Sequence, residues 1–158
     1  MRDIRPDQMI VNGEIADATW SLNLETVDSP GATTAVPLAQ WLTLQPTERA
    51  STGLVLQGDD DLASVLALAA TAPIIALHFP KFTDGRCYSH AYRLRRPQGY
   101  AGPLLAFGDV LRDQLPYMSR CGIHHFYPRA DQDLAGCIQQ LGHFTKHYQY
   151  SASVPGNA

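Results

Sequence analysis

From Gly53 onward the chain alternates short unbroken apolar runs with longer stretches in which apolar residues recur at helical spacing. Gly53-Leu54-Val55-Leu56 is the first run. Asp59-Asp60-Asp61 follows it with carboxylates suited to a helix N-terminus, and Leu62, Val65, Leu66 and Ala69 predict a helix that stops before Pro73. Ile74 to Phe79 is apolar throughout, as strands covered on both faces are. Asp84 is placed to cap a second helix reaching about Arg96, with Cys87, Ala91 and Leu94 on one face. Pro103 to Phe107 reads as a third strand. Gly108-Asp109 opens a third helix with Leu111, Leu115 and Met118, ending at Cys121-Gly122; Pro116 must kink it or delay its regular part. Ile123 to Tyr127 reads as a fourth strand, and Asp131 is placed to cap a last helix with Leu134, Ile138, Leu141, Thr145 and Tyr148 in one stripe.

The first fifty residues are less regular. Met9-Ile10-Val11, Asn12-Gly13 and Glu14-Ile15 predict a hairpin, because Asn-Gly suits a tight turn with positive φ. Ser29 to Thr34 reads as a loop, Pro37 to Leu44 as a short helix with Trp41 and Leu42 inward, and Gln45 to Thr52 as a linker. Four consecutive strand–helix units imply an α/β fold with a mostly parallel sheet and right-handed crossovers, in either a flavodoxin-like or a half-barrel arrangement. One globular domain is expected: an N-terminal hairpin and helix (1–52) packed on an α/β core (53–148), then a small polar tail (149–158).

Composition agrees with a globular chain: 158 residues, 45% hydrophobic and 17% charged. No apolar run is long enough to cross a bilayer, and the first residues lack the pattern of a secretory signal. Three cysteines, none in a C-x-x-C pair, fit reduced thiols. A cytoplasmic protein is therefore expected, with no membrane partner.

Net charge is −3, which gives no sign of nucleic-acid binding, but the charge is unevenly placed. Between Lys81 and Arg129 stand eight basic residues (Lys81, Arg86, Arg93, Arg95, Arg96, Arg112, Arg120 and Arg129) against three acidic ones, whereas the rest holds four basic and twelve acidic. Arg93, Arg95 and Arg96 are expected to be solvated at a helix C-terminus, where positive charge suits the dipole. The others point to a local anion site or to a patch for an acidic partner.

In a parallel sheet, ligands collect beyond the carboxyl ends of the strands. Four loops meet there: Gln57 to Asp61, Phe79 to Arg86, Gly108 to Gln114, and Tyr127 to Asp131. In the second, Lys81 and Arg86 flank Asp84-Gly85 ahead of a helix N-terminus, with Tyr88 and Ser89 one turn on. A phosphate, sulfate, sulfite or carboxylate would meet two cations and a helix dipole there. The plainer alternative is that Asp84 only caps its helix while Arg86 pairs with Asp109 or Asp113. In the third loop, Arg112, Asp113 and Gln114 face the rim, and Asp109 is either a cap or a general base. Asp84 and Asp109 are the catalytic candidates, against a more frequent role in capping.

No metal is expected. His143 and His147 share a helix face, but no third ligand completes a set, and His124 and His125 alternate across a strand. Cys87 sits near a helix N-terminus, where a thiol pKa can fall, although a buried structural thiol is the commoner outcome. Neither G-x-G-x-x-G nor a P-loop occurs, so no nucleotide cofactor is expected.

The segments Phe79-Pro80-Lys81-Phe82-Thr83-Asp84-Gly85-Arg86-Cys87-Tyr88-Ser89, Gly108 to Leu115 and Arg120-Cys121-Gly122 resemble the signature of a bacterial family, the domain of unknown function 934. The resemblance runs from the Asn12-Gly13 hairpin to about Phe144. It implies a cytoplasmic protein encoded beside sulfite reductase and serving assimilatory sulfate or sulfite reduction; it brings no established catalytic residues. Two functions follow as expectations. One is an accessory factor that binds sulfite reductase or its electron carrier through the basic rim. The other is an enzyme or binding protein for an anionic sulfur or phosphate compound. A dimerising scaffold, a homodimer whose rim residues serve folding alone, is the third expectation.

Overall fold

The computed structural model describes residues 7–142. The His143/His147 pair and the end of the last predicted helix lie outside the described residues.

Eight strands form one sheet in the order β2-β1-β8-β7-β6-β5-β4-β3. The predicted hairpin is β1 (Gln8–Val11) and β2 (Glu14–Asp17), paired antiparallel across Asn12 (φ 50°) and Gly13 (φ 82°). This is the positive-φ turn that Asn-Gly favours. β3 (Ser21–Leu22) and β4 (Thr34–Pro37) were not anticipated; both are short, and β4 begins at the last residue of the expected loop. β5 (Gly53–Leu56), β6 (Ile75–Phe79), β7 (Leu104–Gly108) and β8 (His125–Phe126) match the four predicted runs within a few residues.

The strands from β3 to β8 pair in parallel with each successive neighbour, while β1 joins β8 antiparallel. The sheet is therefore mixed, and it curls as a half-barrel. The hairpin changes its character, because the chain must enter β1 against the direction of β8. From β3 to β8 the strand order runs in sequence without the reversal that marks a flavodoxin-type sheet, so the half-barrel alternative describes this topology.

Among the described residues five α-helices accompany the sheet: α1 (Leu38–Thr43), α2 (Pro46–Arg49), α3 (Arg86–Arg95), α4 (Leu115–Arg120) and α5 (Leu134–Gly142). α1 fills the predicted short helix and buries Trp41, whose indole N–H donates to Thr52 O at 3.0 Å. α2 falls in the expected linker, where Pro46 starts the turn and the Glu48 carboxylate accepts from Gln45 N at 2.7 Å.

The helix expected at Leu62–Ala69 is instead two 3₁₀ turns, Leu62–Ser64 and Ala69–Thr71. Leu62, Val65, Ala69 and Ala72 are all buried. A spacing of three or four serves either helix type, so apolar spacing could not separate them. In the third crossover a 3₁₀ turn over Arg112–Gln114 precedes α4, and Pro116 sits in the first turn of α4. Proline delays the regular helix, as expected.

Alternating residues divide the core. Leu54, Leu56, Ile75, Leu77 and Phe79 join the cluster under the helices, and Val55, Ala76, Leu105, Phe107 and Tyr127 join one on the opposite face with Trp20, Leu22 and Leu24. Arg95 corrects an expectation. It is 2% exposed, and its guanidinium donates to Gly122 O (2.9 Å), Tyr100 O (2.7 Å) and Gly102 O (2.8 Å). Tyr100 and Gly122 turn the chain next to the helix end, so the last turn of α3 meets carbonyls rather than water. Arg93 and Arg96 are exposed.

Candidate functional site

Specific hydrogen bonds join the loops after β6, β7 and β8, and the loop after β5 meets them where Gly58 lies against Arg86. Asp109 N donates to Phe79 O at 2.7 Å, as the loop after β7 leaves Gly108. Gly108 has φ 103°, and a Cβ there would collide with Phe79 O, so this crossing requires glycine. The Asp109 carboxylate then spans two loops: Oδ2 accepts from Phe82 N at 2.8 Å, and Oδ1 accepts from Arg129 Nη1 at 2.8 Å. Gln114 Nε2 donates to Phe82 O at 2.7 Å. Phe82 is thus held through both its main-chain N–H and its carbonyl, while its ring is 54% exposed.

Asp109 is accordingly not the cap of the turn that follows, and both its oxygens are engaged. Leu111 occupies the N-cap of the turn that follows, and both carboxylate oxygens already accept charged or main-chain donors. Arg129 also grips Asp131 through Nε and Nη2, each at 2.7 Å, so two carboxylates hold its pKa above the ordinary arginine value. Asp131 therefore does not cap α5, and its carboxyl falls to about 2 beside that guanidinium. Asp133, the residue before α5, accepts from Gly136 N at 2.9 Å instead.

The pairing expected between Arg86 and Asp109 or Asp113 does not form. Arg86 chelates Asp84, two residues back, with Nε–Oδ1 at 2.9 Å and Nη2–Oδ2 at 2.7 Å. The Arg86 guanidinium is the main reason the Asp84 carboxyl lies at about 2. Asp84 also accepts from Arg86 N at 3.2 Å, but Gly85 is the N-cap residue of α3. Gly85 has φ −95°, so its conformation does not demand glycine. Gly58, after β5, makes room for Arg86: a Cβ there would lie 2.7 Å from Nε.

The other rim candidates divide. Lys81 and Ser89 are exposed, and Lys81 makes no side-chain hydrogen bond or ion pair among the described residues. Arg112 and Asp113 are exposed, and Arg112 N donates to Gln132 Oε1 at 2.9 Å. Tyr88 is half-buried between Phe79 (ring centroids 5.2 Å) and Tyr117 (4.9 Å), and burial pushes its phenol up to about 12. Cys87 is the structural thiol: its Sγ donates to His78 O at 3.3 Å, and burial raises it to about 12.

Sequence reasoning missed three features. Phe82 stands between Lys81 and Thr83 in a polar loop, and that isolation was the available signal. Arg129 as a strap left no sequence signal, because its partner lies twenty residues away. His78, at the end of the central strand, is buried against Phe107 with ring centroids 5.0 Å apart, and its Nδ1 has no hydrogen-bond partner. Burial lowers its pKa, opposed by the charge of Asp84.

A cleft of about 540 Å³ lies at the β8 end of this rim, lined by Asp7, Gln8 and Asp17 from the hairpin and Pro128 to Ala130, Gln132 and Leu134 opposite. Among the described residues no group of three His, Cys, Asp or Glu could hold a metal, and no helix is long and apolar enough to cross a membrane.

Fold and rim together define an α/β half-barrel protein whose C-terminal loops are cross-strapped around an outward-facing aromatic residue. The chain belongs to the family described as "Bacterial protein of unknown function (DUF934)", whose model matches residues 53–157. The match begins at β5, so the hairpin and the rest of the first 52 residues fall outside it, unlike the wider span read from the sequence. Comparison with curated proteins and with solved structures returns no significant match.

Proposed function

We propose that the chain is an accessory factor of assimilatory sulfate or sulfite reduction that docks on a partner polypeptide through the rim at the strand C-termini. The observation that carries the docking half is Phe82, a large apolar ring left in solvent while hydrogen bonds to Asp109 and Gln114 fix its main chain. An aromatic held in this way loses little conformational freedom when it enters a partner's pocket, which is the physical profile of an interface anchor. Lys81, beside it, adds an exposed positive charge. Complementary charge of this kind raises association rate and fixes register.

The sulfur half rests on the resemblance of the Phe79–Ser89 and Gly108–Leu115 segments to a family encoded beside sulfite reductase. The rim favours docking over capture of a small anion, because Arg86 and Arg129 are both engaged by internal carboxylates. An anion would compete there with carboxylates already in place.

Co-purification tests the proposal. Tagged wild-type chain expressed with its native neighbours should carry sulfite reductase through affinity and size-exclusion steps, and Phe82→Asp should lose it. Equal recovery of the reductase by both proteins would overturn the reading.

A further inference from the structure

Four large hydrophobic side chains are conspicuously exposed among the described residues: Ile15, Phe82, Tyr92 and Tyr117. Three of them belong to one surface. Gln114 grips Phe82 O, and Tyr117 lies one helical turn beyond Gln114. The Tyr117 ring meets Tyr88 edge-on at 4.9 Å, bridging α4 to α3. Tyr92, 45% exposed, follows Tyr88 by four residues and therefore continues the same flank of α3.

The charge on this surface is mainly positive, with the exposed Asp113 at its edge, in the turn before α4. No aspartate or glutamate occurs between Gly85 and Gly108, and none occurs in α4. Asp84, at the edge, is neutralised by Arg86. Lys81 and Arg93 are exposed here, and Arg120 lies over the Tyr117 ring at 5.9 Å. Elsewhere the chain is acidic, so the α3–α4 face is a local basic and aromatic patch on a negatively charged body.

We infer that the outer face of α3 and α4 is a docking surface for an acidic polypeptide segment that also carries apolar side chains. The tyrosines supply contact area and the cations select carboxylates, a combination common at protein interfaces. A nucleic acid fits less well. A long polyanion would run beyond the patch onto acidic surface, and Tyr88 and Tyr117 are engaged with each other rather than offering open faces to bases. This inference rests on the docking reading above and names the chemistry of the partner.

The test uses a fluorescein-labelled sixteen-residue peptide of glutamate and aspartate interspersed with leucine and phenylalanine, titrated with the full chain and followed by anisotropy. A lysine-rich peptide of the same apolar content and a single-stranded RNA are run in parallel. The acidic peptide should bind, and weaken at least about fivefold between 50 and 300 mM salt. Tyr92→Glu and Arg93→Glu, both exposed, should each weaken it about tenfold while far-UV circular dichroism stays unchanged. Absence of acidic-peptide binding, preference for RNA or for the lysine peptide, or indifference to both variants would overturn the inference. Failure here with sulfite reductase still retained by the wild type and lost by Phe82→Asp would leave the rim reading intact. Peptide binding as expected without any recovery of the reductase would do the reverse.

Discussion

Asp109 and Arg129 meet at 2.8 Å across the loops that follow β7 and β8, and the other oxygen of Asp109 accepts from Phe82 N at the same distance. One carboxylate therefore sets the relative position of three loops. Asp109→Ala removes both bonds and leaves Phe82 N without its partner. The expected cost is about 1–2 kcal/mol in denaturant unfolding, mostly from the main-chain bond to the carboxylate. Asp131→Ala breaks only exposed contacts, to Arg129 and Gln132, and should leave the denaturant midpoint close to that of the wild type. Amide exchange at Phe82 should accelerate in the first variant and not in the second.

Arg95 is the buried cation of the fold, and three carbonyls depend on it. Arg95→Met keeps much of the side-chain volume but orphans those oxygens. A loss of about 2–4 kcal/mol is expected, read as a lowered thermal midpoint. Arg93→Ala, two residues earlier and exposed, should be near neutral.

Gly108 and Gly58 should respond differently to alanine. At Gly108 both the positive φ and the collision with Phe79 O forbid a side chain, so Gly108→Ala should cost several kcal/mol or prevent folding. At Gly58 the obstacle is the Arg86 side chain. Arg86 is exposed and flexible, so Gly58→Ala should displace it from Asp84 at a cost nearer 1 kcal/mol. Comparative urea unfolding of the two variants checks the order.

Histidine protonation sets the acid limb of stability. Burial lowers His78 and His124 and brings His125 to about 4, below an unfolded value near 6.5. Above about pH 6.5 these rings are neutral in both states and their full contribution is present. As pH falls from 6.5 towards 4, the unfolded chain takes up protons that the native chain refuses, so stability declines by on the order of 2 kcal/mol. Asp84 and Asp131, both at about 2, act in a lower window, and their contribution is lost only below about pH 4. His125→Gln should flatten the upper decline in a pH series of thermal midpoints.

Much of the fold was legible because its strands are continuous apolar runs. Ile75 to Phe79 and Leu104 to Phe107 could hardly be anything but covered strands, and Asn12-Gly13 carried its turn in its own stereochemistry. β3 and β4 were not legible: β3 has two residues with no turn signal beside it, and β4 starts inside the Ser29 to Thr34 stretch, whose Pro-Gly pair reads as loop. The rim was legible as a place and not as a set of contacts. Lys81, Asp84, Arg86, Asp109, Arg112 and Gln114 do gather there, but whether Arg86 turns to Asp84 or to Asp109 depends on loop path. Arg95 misled for a related reason: a basic residue in a last helical turn suits solvent and the dipole, and only the fold shows three carbonyls waiting for it.

On the reading proposed above, a strapped Phe82 anchors a partner polypeptide in sulfite reduction. Titration of purified sulfite reductase with the wild-type chain and with Phe82→Asp, followed by sedimentation velocity, tests it most directly. A discrete complex is expected for the wild type, weakened by at least about tenfold in the variant, with both chains equally folded. No complex with the wild type, or equal affinity for the two, would contradict it.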